Sequence, residues 1–354
     1  MGKQYRVQGS VGKGGFGTVY RASVVGDRGA PPVAIKLLHE GKLPDGALAR
    51  FRDEARILRL AKDRAIVNVE PPMMLNGRWA VVMDYIDGCS AQKLVNQDAL
   101  PLGPALEIVG EVARALDSLH RQPGPSGEPL QVLHRDIKPD NIQITRTGKV
   151  KILDFGTAKA AFENREARTA FEVAGTSGYV AEERFIGMDG PSGDVFSLGV
   201  VLQVLVTATA PIEPVNPYVY DDATRDVLLL AKRMQKRSPF DRPKTLDVAL
   251  ECGDLRAKIG GESLADWAGR VVPGFLLMEG DHLTDKVLRQ DEDDTRPVED
   301  APPEPDVDVV VAPQPKADRG LLVAGIVVVG GLGIGLVGGG LVVAAVAVVW
   351  MSTL

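Results

Sequence analysis

The chain has 354 residues, 45% of them hydrophobic and 25% charged, enough for one two-lobed domain of about 250 residues with further segments attached. Its formal net charge of −6 is unevenly placed: residues 291–308 hold nine acids against Arg296 alone, so that stretch carries −8 and the remainder +2. This balance excludes the basic domain of a nucleic-acid binder, and two widely separated cysteines, Cys89 and Cys252, exclude a disulfide framework or a cysteine metal site and point to a reducing compartment.

The opening residues, MGKQYRVQGS, lack the apolar core of a signal peptide. Residues 5–25 read as strand, glycine turn and strand. Within Val11-Gly12-Lys13-Gly14-Gly15-Phe16-Gly17-Thr18-Val19, the glycines at 12, 14 and 17 spell G-x-G-x-x-G. Such a turn approaches phosphates closely because no Cβ stands in the way. Dinucleotide-binding folds use the same pattern, but there the glycines open a helix. Here the β-branched and aromatic run TVYRASVV follows, which predicts a second strand and a flap over a nucleotide. Val33-Ala34-Ile35-Lys36 is the next strand, and a lysine on a half-buried strand needs a partner. Glu54 supplies it, from a helix whose apolar stripe is Phe51, Ala55 and Leu58. That ion pair would hold the Lys36 ammonium toward phosphates. Residues 79–83 (WAVVM) form another strand. Met83 would border a flat apolar slot for adenine, with Ala34 and Val19 among its neighbours, and Asp84 and Ile86 would present backbone groups to the ring.

The run VLHRDIKPDN at residues 132–141 packs polar and charged groups between apolar stretches. Phosphoryl transfer to a hydroxyl needs a carboxylate to orient that hydroxyl and take its proton, a cation near the γ-phosphate, and oxygen ligands for Mg²⁺. Asp136, Lys138 and Asn141 offer these in order, and Asp154, in Asp154-Phe155-Gly156, offers a second metal ligand.

On the stretches VGKGGFGTVY, VAIK, HRDIKPDN, DFG, GTSGYVAEER, SGDVFSLGV and DRP, taken in that order over residues 4–252, the chain resembles a eukaryotic-type (Hanks-type) bacterial Ser/Thr protein kinase of the membrane-anchored kind. The resemblance implies an α+β bilobal kinase fold, with a small antiparallel β-sheet lobe carrying one helix and a mostly helical second lobe. It implies ATP and Mg²⁺ as cofactors and proteins bearing Ser or Thr as substrates. It also implies that Asp194 ties down the catalytic loop, that Glu183 and Arg242 form a buried ion pair, that Thr176 lines the substrate site, and that Arg135 meets a phosphate placed on Thr169 of the activation loop. Glu182 stands where the family usually has proline. The competing function is a catalytically silent scaffold on the same fold. The set Lys36, Glu54, Asp136, Asn141 and Asp154 argues against it, since silent relatives commonly lack one or more of these.

The kinase domain is expected at residues 4–253 and a partly helical extension at 254–290, where Leu264, Trp267 and Val271 share one helix side. Residues 291–318, rich in Asp, Glu and Pro, are expected as a disordered linker. Residues 321–350 contain no charge. As one helix they reach roughly 45 Å, more than the ~30 Å of a bilayer core. A single-pass transmembrane helix is therefore expected, with Lys316 and Arg319 placing the kinase domain on the cytoplasmic side of the cell membrane. Gly331, Gly335 and Gly339 fall on one face of that helix, so a second copy of the chain is a candidate partner.

Overall fold

The computed structural model describes residues 2–14, 17–39, 63–123, 132–153, 177–276, 278, 280–291, 331–337 and 340–346. The chain divides into two units, Met1–Arg296 and Pro297–Leu354.

The first lobe of the larger unit is an antiparallel sheet. Its strands are β1 (Gln4–Gly14), β2 (Gly17–Val24), β3 (Val33–Leu38), β4 (Met73–Leu75), β5 (Arg78–Asp84) and β9 (Val287–Arg289), in the order β4-β5-β3-β2-β1-β9. Alternation of apolar and polar residues turns Tyr5, Val7, Tyr20, Ala22, Ile35 and Leu37 into one buried layer. Gly14 pairs with Gly17 at the end of the β1–β2 hairpin. A Cβ at Gly17 would lie 2.3 Å from the Leu37 carbonyl oxygen, so only glycine permits that approach to β3.

β6 (Gly88–Ser90), β7 (Ile142–Thr145) and β8 (Val150–Ile152) form a second, three-stranded sheet that carries the catalytic loop. The second lobe is built from α1 (Ala91–Val95), α2 (Leu102–Arg121), α3 (Pro191–Thr207), α4 (Asp222–Met234), α5 (Thr245–Ile259) and α6 (Leu264–Val271). In α2 the apolar residues Leu106, Val109, Val112, Ala113 and Leu116 recur at helical spacing and are fully buried. α3 begins with Pro191 in its first turn and is apolar all round; thirteen of its seventeen residues are buried, which makes it the central helix of the lobe. In α6, Leu264 and Trp267 are buried against the same core, while Val271 is only partly covered.

The extension after residue 253 does more than supply a short helix. Beyond α6 the chain returns to the first lobe, where β9 pairs with β1, setting Leu288 opposite Tyr5. The Val7 amide donates to the Lys286 carbonyl and the Asp285 amide to the Val7 carbonyl, both at 2.9 Å. Leu288 is buried in the first-lobe core, and the Tyr20 hydroxyl reaches Asp281 at 3.1 Å. The segment therefore joins both lobes and covers what would otherwise be the open edge of β1.

In the smaller unit the structure departs from the expected transmembrane helix. Its described residues are β10 (Gly331–Val337) and β11 (Gly340–Val346), paired antiparallel with Gly331 opposite Val346. Valine and isoleucine favour the extended backbone, and each glycine in a helix interior costs about 1 kcal/mol relative to alanine. Among the described residues no helix is long and apolar enough to cross a membrane. Of the expected linker, only Asp291 is described; its amide donates to the Met74 carbonyl at 3.1 Å.

Candidate active site

Residues 132–141 lead into β7 through a tight 3-10 turn at Pro139–Asn141. The Asp136 side chain is 11% exposed, and the Lys138 ammonium lies 3.3 Å from its Oδ2. The Asn141 amide nitrogen donates to the Asp136 carbonyl at 2.8 Å and to its Oδ2 at 2.9 Å. Both amide hydrogens point to Asp136, which leaves the Asn141 Oδ1 as the atom able to take a hard cation. Among the described residues no group of three or more His, Cys, Asp or Glu is arranged to hold a metal by itself.

His134 is fully buried. Its Nδ1 accepts from the Asp136 amide at 3.2 Å, so the ring proton sits on Nε2, which meets the Leu153 carbonyl at 3.0 Å. The Leu153 amide in turn donates to the Asn141 carbonyl at 2.9 Å. The loop carrying Asp136 and the end of β8 are thus stitched together before any ligand arrives.

Asp194, on the first turn of α3 and fully buried, accepts from the His134 amide at 2.8 Å and the Arg135 amide at 2.9 Å. Arg184 donates to the same carboxylate at 2.7 Å. Burial pushes the Asp194 carboxyl up, but the Arg184 guanidinium and the amide donors outweigh it and hold the group below the usual carboxylate range. Glu183 and Arg242 form a bidentate pair at 2.5 and 3.0 Å, and Arg242 also donates to the carbonyls of Ser192, Lys236 and Arg237. Glu182, in the position where proline was expected, is exposed and pairs with Arg237 at 3.1 Å.

At the other end of the site, Lys36 is half-buried on β3, between Val19 of β2 and Val81 of β5. Ala34, Val67, Val81 and Met83 form a small apolar cluster, joined by Val19, Ile86 and Leu153. Leu153, just past β8, both joins this apolar cluster and meets the His134 ring through its carbonyl, so the apolar layer adjoins the loop bearing Asp136. The Asp84 amide is held by the Asn68 carbonyl at 3.1 Å, and the Ile86 carbonyl accepts from Gly88 at 2.9 Å, which shapes the crossover between the lobes. Val11 is half-buried and Gly12 and Lys13 are exposed on the β1 arm of the β1–β2 hairpin, which ends at Gly14.

Gly15, Phe16, Glu54, Asp154, Thr169 and Thr176 lie outside the described residues. Sequence reasoning missed Arg184 and Asp189, and it missed Val67 and Leu153 in the apolar layer. No spacing rule connects Arg135 to Asp189, which are 54 positions apart. A cavity of about 570 Å³ also adjoins Lys138 and Asp140, lined further by Gln92, Asp98 and Tyr179.

Residues 5–294 match the family model of the protein kinase domain. The chain is similar to the serine/threonine-protein kinase PknA of Mycobacterium tuberculosis, with 36% identity over 216 residues covering 59% of this chain and 48% of that one. It is similar to the PknA kinase of Corynebacterium glutamicum as well, with 36% identity over 220 residues, 60% of this chain and 44% of the relative. The chain spans between 31% and 48% of the length of the first curated relatives it matches. Its fold is that of the M. tuberculosis PknI kinase domain, with a TM-score of 0.55, 24% identity, and coverage of 71% of this chain and 95% of that one.

Proposed function

The chain belongs to the protein kinase family, and we propose that it is an ATP- and Mg²⁺-dependent serine/threonine kinase, phosphorylating itself and other proteins in bacterial signalling. The observation that carries this reading is the Asp136–Lys138–Asn141 constellation, sewn to Leu153 beside the apolar layer of Ala34 and Met83.

In this reading adenine lies against Ala34, Val19, Met83 and Leu153, with the backbone of Asp84 and Ile86 at its edge. The glycine arm of β1 covers the phosphates, and Lys36, with Glu54 as its partner, faces them. Mg²⁺, held by Asn141 and Asp154, would neutralise phosphate charge during transfer. Asp136 accepts the substrate hydroxyl proton on its carboxylate, Lys138 balances the charge that develops at the transferred group, and Asn141 keeps the Asp136 carboxylate in place. Glu183 with Arg242 supports the substrate side, where Thr176 would line the acceptor.

Incorporation of radiolabelled phosphate by the full chain tests this against Asp136→Asn. Wild-type protein should label itself and a serine-containing protein acceptor, and the variant should fall by about 10²- to 10⁴-fold, the range for loss of a proton acceptor. Equal labelling would defeat the reading. Nucleotide binding without transfer in the wild type would instead favour the silent scaffold.

The uncharged residues 321–350 support a further element, attachment to the cell membrane with the kinase domain cytoplasmic. A two-stranded hairpin by itself leaves both outer edges unpaired, so entry into hydrocarbon would require conversion of this segment to helix or pairing of those edges with further strands. Cell fractionation tests this: full-length protein found wholly in the soluble fraction would refute it.

A further inference from the structure

Arg135 is the residue next to Asp136, and it adopts φ of 65°, a left-handed conformation that a side chain makes costly. Something must hold that turn in place. Its amide is held by Asp194, and its Nε donates to Asp189 Oδ2 at 2.7 Å. The other oxygen of Asp189 accepts from Arg184 Nε at 2.9 Å and from the Gly190 amide at 3.0 Å. Arg184 then reaches Asp194 at 2.7 Å, which closes a ring of two arginines and two aspartates. Gly193 makes the ring possible, since a Cβ there would meet Arg184 Nε at 2.6 Å.

We infer that Asp189 is a built-in counter-anion for Arg135, so that the loop bearing Asp136 is set in place without any phosphate on the chain. The carboxylate receives the guanidinium through a charge-assisted hydrogen bond, the same interaction that a phosphate on a neighbouring loop would offer. Its position is fixed by a second arginine and a backbone donor, so little ordering entropy remains to be lost. Asp189 acts through Arg135 and is a positioning residue. It touches none of the reacting groups. The inference rests on the kinase reading for its consequence in activity, but the placement of the loop is measurable without turnover.

The experiment uses the full chain, freed of phosphate by a phosphatase and checked by intact mass. Wild type, Asp189→Asn and Asp189→Glu are compared by amide hydrogen exchange over residues 132–141 and by phosphotransfer kinetics. In the unphosphorylated wild type the loop is protected and transfer begins without a lag. Asp189→Asn should exchange about ten- to a hundred-fold faster there, as expected for loss of a hydrogen bond between charged groups, with α2 and α3 unchanged. Its kcat should fall by about ten- to a hundred-fold while KM for ATP stays within about two-fold. Asp189→Glu, which keeps the charge, should recover much of both. Unchanged exchange in Asp189→Asn, or a wild-type lag removed by prior phosphorylation, would overturn the inference. If no variant transfers phosphate, the kinase reading fails, and the exchange data still decide the role of Asp189.

Discussion

Replacing Arg242 with methionine keeps most of the side chain's length and removes its charge. In the native structure the Arg242 side chain is 1% exposed and the Glu183 side chain 9%, so the substitution strands a carboxylate with little water to solvate it. It also strands the carbonyls of Ser192, Lys236 and Arg237. Breaking a buried ion pair from one side costs about 3–5 kcal/mol, because the remaining charge keeps its desolvation penalty and loses its partner. At about 2–4 °C per kcal/mol for a domain of this size, the melting midpoint should drop by roughly 10 °C. Adding Glu183→Gln removes the stranded charge but not the stranded carbonyls, so the double variant should recover about half of the loss. The pH dependence carries a sign. In the wild type, burial pushes the Glu183 carboxyl up, yet the hydrogen bonds and charge of Arg242 hold it below the usual range. Its stabilising contribution is thus full above the unfolded pKa of about 4.3 and is lost as pH falls through the folded value. In Arg242→Met the carboxyl loses its hydrogen-bonded cation and keeps only the weaker pull of Arg184, so its pKa should rise, and its penalty is largest near neutrality and fades on acidification. The gap between wild type and variant should therefore narrow from about pH 7 to about pH 4. Urea denaturation followed by tryptophan fluorescence measures it, since Trp267 is buried in the second-lobe core. A double variant as unstable as Arg242→Met, or a gap that widens in acid, would refute the reasoning.

Leu288→Ala should destabilise the first lobe by about 2–3 kcal/mol, the lower part of the range for a buried leucine, because β9 lies at a sheet edge. Hydrogen exchange at Val7, whose amide is capped by Lys286, should rise with it; unchanged protection would show that the segment contributes nothing to β1. Asp194→Asn keeps the shape of the anchor and removes the charge facing Arg184, so phosphotransfer should fall at least about ten-fold as the catalytic loop shifts, and steady-state kinetics equal to wild type would contradict that. Burial pushes the Glu111 carboxyl up, but Arg114 and Arg64 bring it to about 2. Its contribution is present above the unfolded pKa of about 4.3 and is lost as pH falls toward 2, so Glu111→Gln should flatten the stability profile between about pH 5 and pH 3. A profile parallel to that of the wild type would rule this out.

Much of the first lobe and the catalytic loop was legible because the signals are local. Short apolar, β-branched and aromatic runs marked β1, β2, β3 and β5, and the glycines between Gly12 and Gly17 marked the turn. Asp136, Lys138 and Asn141 sit within six positions, so a tight turn at Pro139 is enough to bring their side chains together. The pairing of Glu183 with Arg242, 59 positions apart, followed only from likeness to a family, because nothing in local spacing encodes it. The uncharged C-terminal run was misread at Gly331–Val337 and Gly340–Val346 for a related reason. A continuous apolar stretch has no period, so helix and hairpin compete on propensity, and the many valines favour the extended backbone.

The sequence by itself determined the chemistry of the site, through residue types held at short spacings in a fixed order. Only the tertiary structure decided which distant groups complete it. Arg135 meets Asp189, and β1 acquires β9 from the far end of the domain, because helices and strands remote in sequence pack on shared cores. The cost of closing a long loop grows slowly with its length and leaves no local pattern to read.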